Sequence, residues 1–435
     1  MSTQYDAIIV GAGVIGAATA FELAKRGYAT LNIDKKHDAG VGPTAASCAI
    51  VRAHYSTYDG VAMAYENFFY WDDWANYLEV EDELGLARYF KCGTVLFKGQ
   101  DGHHLKVVEQ FDAVGVPYEI WDVETIRSRV PEFATGAFWP PTRPDDERFW
   151  AEPQGEVEGA IFTPGSGYVS DPQLATHNLQ RAAEAKGGEF RFNEAVTEVR
   201  QSGGKVQGVT LAGGETIDAP VVVNVAGPWS FVLNRMAGVE EGMRIKTRAL
   251  RHEVHHVPAP EDFDYEHTGH HGSDGDLGIY FRPEVGNHIL VGSEDPECDP
   301  QVWVEDPDDF DRTVSKEQWE AQVYRLARRM PNLKIPNERK GVVELYDVSD
   351  DWIPILDRSD LDGFYMAIGT SGNQFKNAGG VGHLMAELID ACQAGHDHDA
   401  EPVQVTAHYT GLQLNTGFYS RNREINAASS FSVNG

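Results

Sequence analysis

The first forty residues alternate between apolar runs and one amphipathic stretch. Ala7–Val10 is a continuous apolar run, which is typical of a strand buried on both faces. Apolar residues with helical spacing follow from position 14 to 25, and Gly27 can end a helix there. A second apolar run over 29–33 ends at Asp34. The pattern predicts a strand, a glycine turn, a helix, a second strand and an acidic residue.

The predicted turn contains three glycines with different physical roles. Gly11 permits a tight turn, Gly13 lets a pyrophosphate approach the backbone, and Gly16 lets the helix pack against the strand. The N–H groups and positive dipole end of the helix attract phosphates. Asp34 is placed to accept hydrogen bonds from a ribose diol and disfavours a 2′-phosphate. Glycine turns also occur for purely steric reasons, but the complete arrangement favours a site for FAD or NAD rather than NADP.

The rest of the chain alternates between strand and helix patterns, separated by glycine- and proline-rich loops. We expect an irregular loop over 40–60 and a loop or lid over the acidic segment 140–159. Helical spacing predicts helices over 61–84, 173–186, 317–330 and 380–392. Apolar or alternating runs predict strands over 196–199, 206–211, 220–227 and 364–368, with a hairpin turn at Gly203-Gly204. Residues 245–310 indicate a second domain, and the polar residues 401–435 indicate a tail on the surface.

Composition narrows the possible partners. A length of 435 residues allows two domains or one two-lobed unit. The formal net charge of −31 argues against binding to nucleic acid or to an anionic membrane, and no segment predicts membrane insertion. Four widely spaced cysteines favour a reduced, cytoplasmic protein without a cysteine-based metal site. An anionic substrate would therefore need a locally positive pocket.

Arg52 is a candidate for that pocket, because it lies among small apolar residues. It either pairs with a carboxylate of the fold or is held for a carboxylate ligand. Position alone does not choose between these two interpretations.

A short histidine motif suggests a different class of function. His252-Glu253-Val254-His255-His256 formally matches the H-E-x-x-H motif of zinc hydrolases, which requires a helix. The segment alternates and runs into Pro258, so we interpret it as a strand, on which His252 and His256 would be about 13 Å apart. One zinc ion cannot bind both, because Zn–N bonds are only about 2.0–2.1 Å long. We therefore expect no metal site.

The ordered motifs resemble those of a known flavoprotein family. The stretches are VGAGVIGAATAFELAKRG, AIVRAHY, GYVSDPQL, VVVNVAGPWS, IYFRPEVGNHILVGSED, DWIPILD and FYMAIGTSGNQFKNAGGVGHLMAEL. Over most of residues 5–395 they resemble the FAD-dependent D-amino acid oxidase and sarcosine oxidase family, in its sarcosine oxidase and dimethylglycine dehydrogenase-like branch. The resemblance implies an α/β (α+β) fold, with a discontinuous Rossmann-like FAD-binding domain and an inserted substrate domain on a mixed or antiparallel sheet. The implied division is FAD-binding domain 1–88, 160–240 and 340–400; substrate domain 89–159 and 241–339; C-terminal tail 401–435.

The resemblance also assigns expected roles to individual residues. Arg52 and Lys376 match the arginine and lysine that hold the substrate carboxylate, and Tyr346 matches a pocket tyrosine that can hydrogen-bond the substrate. Lys376 could instead be a surface lysine at a helix start, and Tyr346 a core tyrosine. The expected FAD-binding residues are Gly11, Gly13, Val14, Ile15, Gly16, Asp34, Lys35, Ser47, Ala49, Ile50, Val51, Val196, Ala226, Gly227, Trp229, Gly372, Asn373, Gln374, Phe375 and Lys376.

The chain departs from the family pattern at three places. Glu344 stands where some sarcosine oxidases bond FAD to a cysteine, so we expect noncovalent FAD. His37 and His54 are not clear matches to the histidine of dimethylglycine dehydrogenase-like members. The lysine that helps sarcosine oxidases activate oxygen is replaced within residues 289–291, so the acceptor is either oxygen or another molecule.

The function implied by the resemblance is oxidation of a carboxylate-bearing amine. An amino acid or N-alkyl amino acid would transfer a hydride from its α-carbon to flavin N5, and the resulting imine would hydrolyse. The amine must be neutral to expel the hydride, so the rate should rise with pH. The alternatives are a dehydrogenase of another amine or a 2-hydroxy acid that uses an acceptor other than oxygen, and a flavin-binding protein without turnover.

Overall fold

The computed structural model describes residues 5–435 and contains two large sheets with helices around them. The strands β1 to β23 are, in chain order, Ala7–Val10, Thr30–Ile33, Ile50–Val51, Tyr89–Phe90, Thr94–Phe97, Glu119–Trp121, Ala160–Thr163, Gly167–Val169, Glu189–Arg191, Val196–Ser202, Lys205–Leu211, Thr216–Asp218, Val221–Asn224, Thr247–Pro258, His271–Asp274, Ile279–Glu284, His288–Ser293, Val302–Val304, Gly341–Ser349, Ile355–Arg358, Phe364–Ile368, Gln404–Thr406 and Gln413–Asn415. The helices α1 to α10 are Val14–Lys25, Tyr58–Asp72, Trp74–Leu78, His103–Val114, Val123–Arg129, Pro172–Ala185, Ser230–Met236, Tyr265–Thr268, Lys316–Arg329 and Ala378–Gln393.

The first sheet carries the predicted dinucleotide unit. Its order is β20-β21-β13-β1-β2-β9, and all neighbouring pairs except β20 and β21 are parallel. β1 lies between β2 and β13, so a crevice opens at the carboxyl ends of these three strands. Helices α1, α6 and α10 cover one face, and α1 packs against both of the others. The predicted Rossmann-like α/β arrangement is confirmed.

The second sheet is mixed and has nine strands. Its order is β18-β14-β17-β16-β15-β5-β7-β6, and β19 pairs along the long strand β14. Only the β15–β5 pair is parallel. The predicted domain division stays a prediction, but its boundaries assign β7 and β19 to the FAD-binding domain, whereas their hydrogen-bonded neighbours are strands of this mixed sheet.

Most locally encoded elements lie where the pattern predicts them. α1 and β21 have the expected bounds, and Asp171 accepts hydrogen bonds from the first-turn N–H groups of α6 at 2.9 Å. Gly203 and Gly204 have φ values of 60° and 76° and turn the chain from β10 into β11. The helix predicted over 61–84 is instead two helices, α2 and α3, which together end at Leu78.

The histidine motif lies on β14, so its interpretation as a strand is confirmed. Within residues 5–435 no helix is long and apolar enough to cross a membrane. The four cysteines are unpaired, and the cytoplasmic location stays a prediction.

The prediction that residues 401–435 form a surface tail is wrong for the end of this segment. Residues 404–415 form the β22–β23 hairpin, and buried Arg421 pairs with Asp357 at 3.1 Å. The final residues turn inward, where Val433 is buried and the Gly435 carbonyl accepts a hydrogen bond from Ser56 Oγ at 2.7 Å. Sequence pattern could not show this, because the segment is polar and its partners are distant in the chain.

Candidate active site

A cavity of about 460 Å³ is lined by residues of both large sheets. It begins at the carboxyl ends of β1 and β2 and reaches residues of β14 and β19. All three predicted catalytic residues and every predicted FAD-binding residue except Val51 line it. Val51 is fully buried in the main hydrophobic core, while its neighbours Ile50 and Arg52 line the cavity. This placement follows from an extended backbone, on which successive side chains face opposite ways.

The glycine turn forms one end of the cavity. A Cβ on Gly16 would lie 2.2 Å from the Gly11 carbonyl oxygen, and a Cβ on Gly11 would lie 2.4 Å from the Val225 carbonyl oxygen. Both glycines are therefore needed for packing of the turn itself. At Gly13 the nearest atom to such a Cβ is Thr44 Oγ1 at 3.2 Å, so the chain itself requires glycine less strictly there. The Val14 N–H at the start of α1 donates to Thr44 Oγ1 at 3.3 Å, whereas the N–H groups of Ile15 and Gly16 have no side-chain acceptor among residues 5–435 and remain available to an anion.

Two charged residues follow β2 at this end of the cavity. Asp34 accepts hydrogen bonds from the backbone N–H groups of Ala12 and Lys36, both at 2.8 Å. These bonds fix the carboxylate, and each oxygen retains a lone pair for a ribose hydroxyl. Lys35 pairs with Asp308 at 2.5 Å and lies 4.1 Å from the centre of the Trp229 ring. The glycine turn, the first-turn N–H groups of α1 and Asp34 together fit a nucleotide with a pyrophosphate and a free ribose diol.

Arg52 and Lys376 meet at the other end of the cavity, although 323 positions separate them in sequence. Their side chains are 4% and 2% exposed. Neither makes an ion pair with a carboxylate of residues 5–435. Instead, Arg52 donates to the backbone carbonyls of His54 and Val433, and Lys376 donates to that of Asn373. Burial and the nearby Arg52 lower the pKa of Lys376 well below its usual value.

The ring of Tyr55 contacts both cations, and the sequence did not predict Tyr55 as a site residue. The Arg52 guanidinium lies 4.7 Å from the centre of the Tyr55 ring, and Lys376 Nζ lies 4.9 Å from it. The Tyr55 hydroxyl donates to the Asn373 carbonyl at 2.9 Å. An aromatic face stabilises cations without neutralising them, so the charges remain available to an anion. The only signal in the sequence was an aromatic residue three positions after Arg52.

Tyr346 stands beside this cation pair on β19. It stacks on His252 with ring centres 4.0 Å apart, and its hydroxyl lies 3.4 Å from that of Tyr280. Gly372 has φ +69°, and a Cβ there would lie 2.3 Å from the Tyr346 ring. The glycine therefore lets the loop before α10 approach the tyrosine. The motif that contains Gly372 was visible in the sequence, but Tyr280 and His252 were not identified as neighbours of Tyr346.

Two buried carboxyl groups lie close to the cavity. Burial raises the pKa of Asp347 to about 7, and the Gly369 N–H donates to its Oδ2 at 2.6 Å. Burial raises the pKa of Glu294 to about 8, and the Ser273 hydroxyl donates to its Oε1 at 2.5 Å. A protonated Glu294 does not compensate the positive charge of Arg52. The site therefore presents a nucleotide-binding end and a positively charged end suited to a small carboxylate.

A cysteine also lines this cavity. Cys48 Sγ lies 3.9 Å from the Tyr280 hydroxyl, and Glu344 lines the same cavity. Burial raises the pKa of the Cys48 thiol, which disfavours the thiolate. The sequence did not indicate that Cys48 lies near Tyr280, because Cys48 precedes β3 and Tyr280 lies on β16, far away in the chain.

Comparison with known proteins gives a family match over most of the chain. The model of the DAO family, described as FAD dependent oxidoreductase, matches residues 6–388. The glycine oxidase of Geobacillus kaustophilus is 26% identical over 415 residues, which cover 94% of this chain and 98% of that protein. Human mitochondrial sarcosine dehydrogenase is 24% identical over 394 residues, covering 88% of this chain and 39% of that longer protein.

A solved structure supports the same fold. The L-proline dehydrogenase from P. horikoshii superposes with a TM-score of 0.76 at 20% sequence identity, covering 97% of this chain and 98% of that one. At this identity the likeness establishes the fold. The predicted family resemblance is confirmed by the family match.

Proposed function

The chain belongs to the DAO family of FAD-dependent oxidoreductases, and from this premise we propose that it oxidises a small amino acid or N-alkyl amino acid at its α-carbon. The observation that carries the proposal is the pair of buried cations, Arg52 and Lys376, with no carboxylate of residues 5–435 paired to either. Burying an unpaired guanidinium and an unpaired amine is unfavourable, as the lowered pKa of Lys376 reflects, so their presence in a cavity indicates an anionic ligand. The names of the relatives, which refer to glycine, sarcosine and proline, support a small amino acid.

Different residues of the chain would bind the cofactor and the substrate. The N-terminus of α1 and its glycine turn would hold the pyrophosphate of FAD, and Asp34 would hold the ribose diol. When bound, FAD supplies an acceptor for the hydride that leaves the α-carbon. Arg52 and Lys376 bind the substrate carboxylate, which fixes the position of the α-carbon, and Tyr346 offers a hydroxyl to the substrate.

The chemistry at the substrate requires a neutral amine. The nitrogen lone pair forms the C=N bond as the α-hydrogen leaves with its electron pair, and water then adds to the imine to release the oxo acid and the amine. The buried cations disfavour an ammonium group nearby and thus favour the neutral amine. We therefore expect the rate of substrate oxidation to rise with pH until the bound amine is deprotonated.

We propose that FAD is bound noncovalently. Glu344 cannot form a thioether, and the raised pKa of the Cys48 thiol makes this cysteine a poor nucleophile. Acid precipitation should therefore leave the yellow colour in the supernatant. A yellow pellet, together with loss of the linkage in Cys48→Ser, would contradict this proposal.

Anaerobic reduction of the flavin tests the main proposal. The FAD-loaded protein is mixed with a panel of amino acids, N-methyl amino acids and 2-hydroxy acids, and bleaching of the yellow absorbance identifies the substrate class. Arg52→Ala and Lys376→Ala should raise KM for carboxylate substrates by about 10- to 100-fold, because each removes a charge-assisted hydrogen bond. The control is Lys334→Ala, whose side chain is exposed and pairs with Glu261. Unchanged kinetics in both cavity variants would refute the carboxylate site.

A second proposal concerns the electron acceptor. Residues 289–291 lie on β17 and are Ile, Leu and Val, and Leu290 packs against the cluster that contains Tyr280. This apolar position lacks the cation that the family resemblance associates with oxygen activation, which supports a dehydrogenase using another acceptor. Admitting air to the bleached protein tests the point: slow return of the colour supports a dehydrogenase, and return within seconds supports an oxidase.

A further inference from the structure

A pair of histidines occupies the cavity wall beside the cations. His54 follows Arg52 by two positions, and its backbone carbonyl accepts a hydrogen bond from Arg52 at 2.6 Å. His271, on β15, lies parallel to it with ring centres 6.0 Å apart and an interplanar angle of 15°. Both rings line the cavity and are about 1% exposed. The mechanism proposed above uses neither ring.

The hydrogen bonding of these rings is incomplete. His271 Nδ1 lies 2.9 Å from Thr94 Oγ1, which fixes the orientation of the ring. Both ring nitrogens of His54 are buried without a partner among residues 5–435. Buried polar atoms in native proteins nearly always have a partner, so an unpaired imidazole in a cavity wall indicates a polar ligand or water. His255 is equally unpaired but lies outside this cavity, so position in the cavity is the distinguishing feature.

The surrounding charges restrict the ligand. Burial, followed by the charge of Arg52, lowers the pKa of both histidines well below the usual value. Each ring is therefore neutral and offers one N–H donor. The unpaired positive charges of Arg52 and Lys376 oppose a cationic group here. The buried Glu294 accepts a hydrogen bond from the hydroxyl of Ser273, a residue that lines the same cavity, so this hydroxyl has no hydrogen left to donate to a ligand.

We infer that His54 and His271 form a second subsite that binds a carbonyl oxygen at the end of the substrate side chain. The substrate class is then an amino acid that carries a second carboxylate or a carboxamide. An aliphatic side chain would leave the His54 nitrogens unpaired, and a basic one would meet the two cations. This inference rests on the function proposed above, because the same substrate must place its α-carboxylate on Arg52 and Lys376.

Calorimetric titration of the FAD-loaded protein with unreactive acids tests the subsite without turnover. The three probes are pentanedioate, its monoamide and pentanoate, which share a five-carbon chain and one carboxylate. In the wild-type protein we expect pentanedioate or the monoamide to bind at least about tenfold more tightly than pentanoate, a difference of about 1.4 kcal/mol. The better of the two probes identifies the side-chain group.

Variants then test whether His54 causes the preference for pentanedioate or its monoamide over pentanoate. His54→Leu should abolish the tenfold preference and leave pentanoate binding unchanged, whereas His255→Leu, a matched buried histidine outside the cavity, should retain it. His271→Leu should reduce the preference by a smaller factor and provides a second variant if His54→Leu does not fold. The subsite is overturned if the wild type shows no preference, or if His54→Leu weakens all three acids equally.

The outcomes separate this inference from the proposed function. If pentanoate itself does not bind and no amino acid bleaches the flavin, the proposed function fails. If amino acids bleach the flavin and Arg52→Ala weakens all three acids, but the acids bind equally in the wild type, only the second subsite fails.

Discussion

Replacing a buried lysine with methionine should stabilise this protein. Lys376 is 2% exposed and donates only to the Asn373 carbonyl, and Arg52 lies in the same cavity. Methionine has a similar length but no charge, so Lys376→Met removes the cost of burying an unpaired amine. A cation retained for ligand binding reduces the stability of the ligand-free protein, whereas a structural cation increases it. The sign of the change in stability therefore separates the two roles.

The matched control is Arg325→Met. Arg325 is fully buried like Lys376, but it donates two hydrogen bonds to Asp299, each 2.8 Å long. Removing it leaves a buried carboxylate with a lost partner, which should lower the free energy of unfolding by about 3–5 kcal/mol. Lys376→Met should raise the free energy of unfolding by about 1–4 kcal/mol, the gain found when buried ion pairs are replaced with apolar residues of similar volume. It should also weaken the binding of a small carboxylate by about 10- to 100-fold.

The pH dependence follows from the lowered pKa of Lys376. Between its folded pKa and 10.5 the unfolded chain binds one more proton, so the stability of the wild type rises with pH. The advantage of Lys376→Met should therefore shrink as pH rises and vanish near pH 10.5. The assay is urea unfolding of the FAD-loaded proteins, followed by tryptophan fluorescence, with carboxylate binding measured on the same samples. A loss of stability in Lys376→Met comparable to that in Arg325→Met, or unchanged carboxylate affinity, would contradict a ligand-binding role for Lys376.

Three further predictions concern the cofactor end, a buried acid and the aromatic contact. Gly16→Ala should abolish FAD retention, because the new Cβ would lie 2.2 Å from the Gly11 carbonyl oxygen. The measurement is the flavin-to-protein ratio. The control is Gly213→Ala, which has open space around the new Cβ and should retain FAD. Because the pKa of Glu294 is raised from 4.5 to about 8, the wild-type free energy of unfolding should fall as pH rises between these values. Glu294→Gln should remove a fall on the order of 5 kcal/mol, so identical pH profiles by urea unfolding would contradict the assignment. Tyr55→Leu should weaken carboxylate binding by about tenfold while Tyr55→Phe preserves it, because the ring face rather than the hydroxyl contacts Arg52 and Lys376.

The sequence alone determined the dinucleotide unit and the local elements. The strand Ala7–Val10, the helix Val14–Lys25 and the cap at Asp171 depend on contacts within a few residues, so their periodicity and end signals are visible in a single chain. The Gly11–Gly16 turn was identifiable from the spacing of its glycines, although only Gly16 meets backbone nearby in sequence, at the Gly11 carbonyl, whereas Gly11 meets the distant Val225 carbonyl. Family resemblance, carried by motifs in order, added Arg52, Lys376 and Tyr346 as members of one site.

Tertiary structure decided what surrounds those residues. It showed that both cations have no carboxylate partner in the described chain, that Tyr55 lies against both, and that His54 and His271 form a neighbouring polar wall. It also turned the final residues inward and placed Cys48 beside Tyr280. Each of these contacts joins segments that are far apart in sequence or depends on which way a side chain faces. Periodicity encodes only the local preference of each segment, whereas the pairing of distant segments is fixed by the packing of the whole fold.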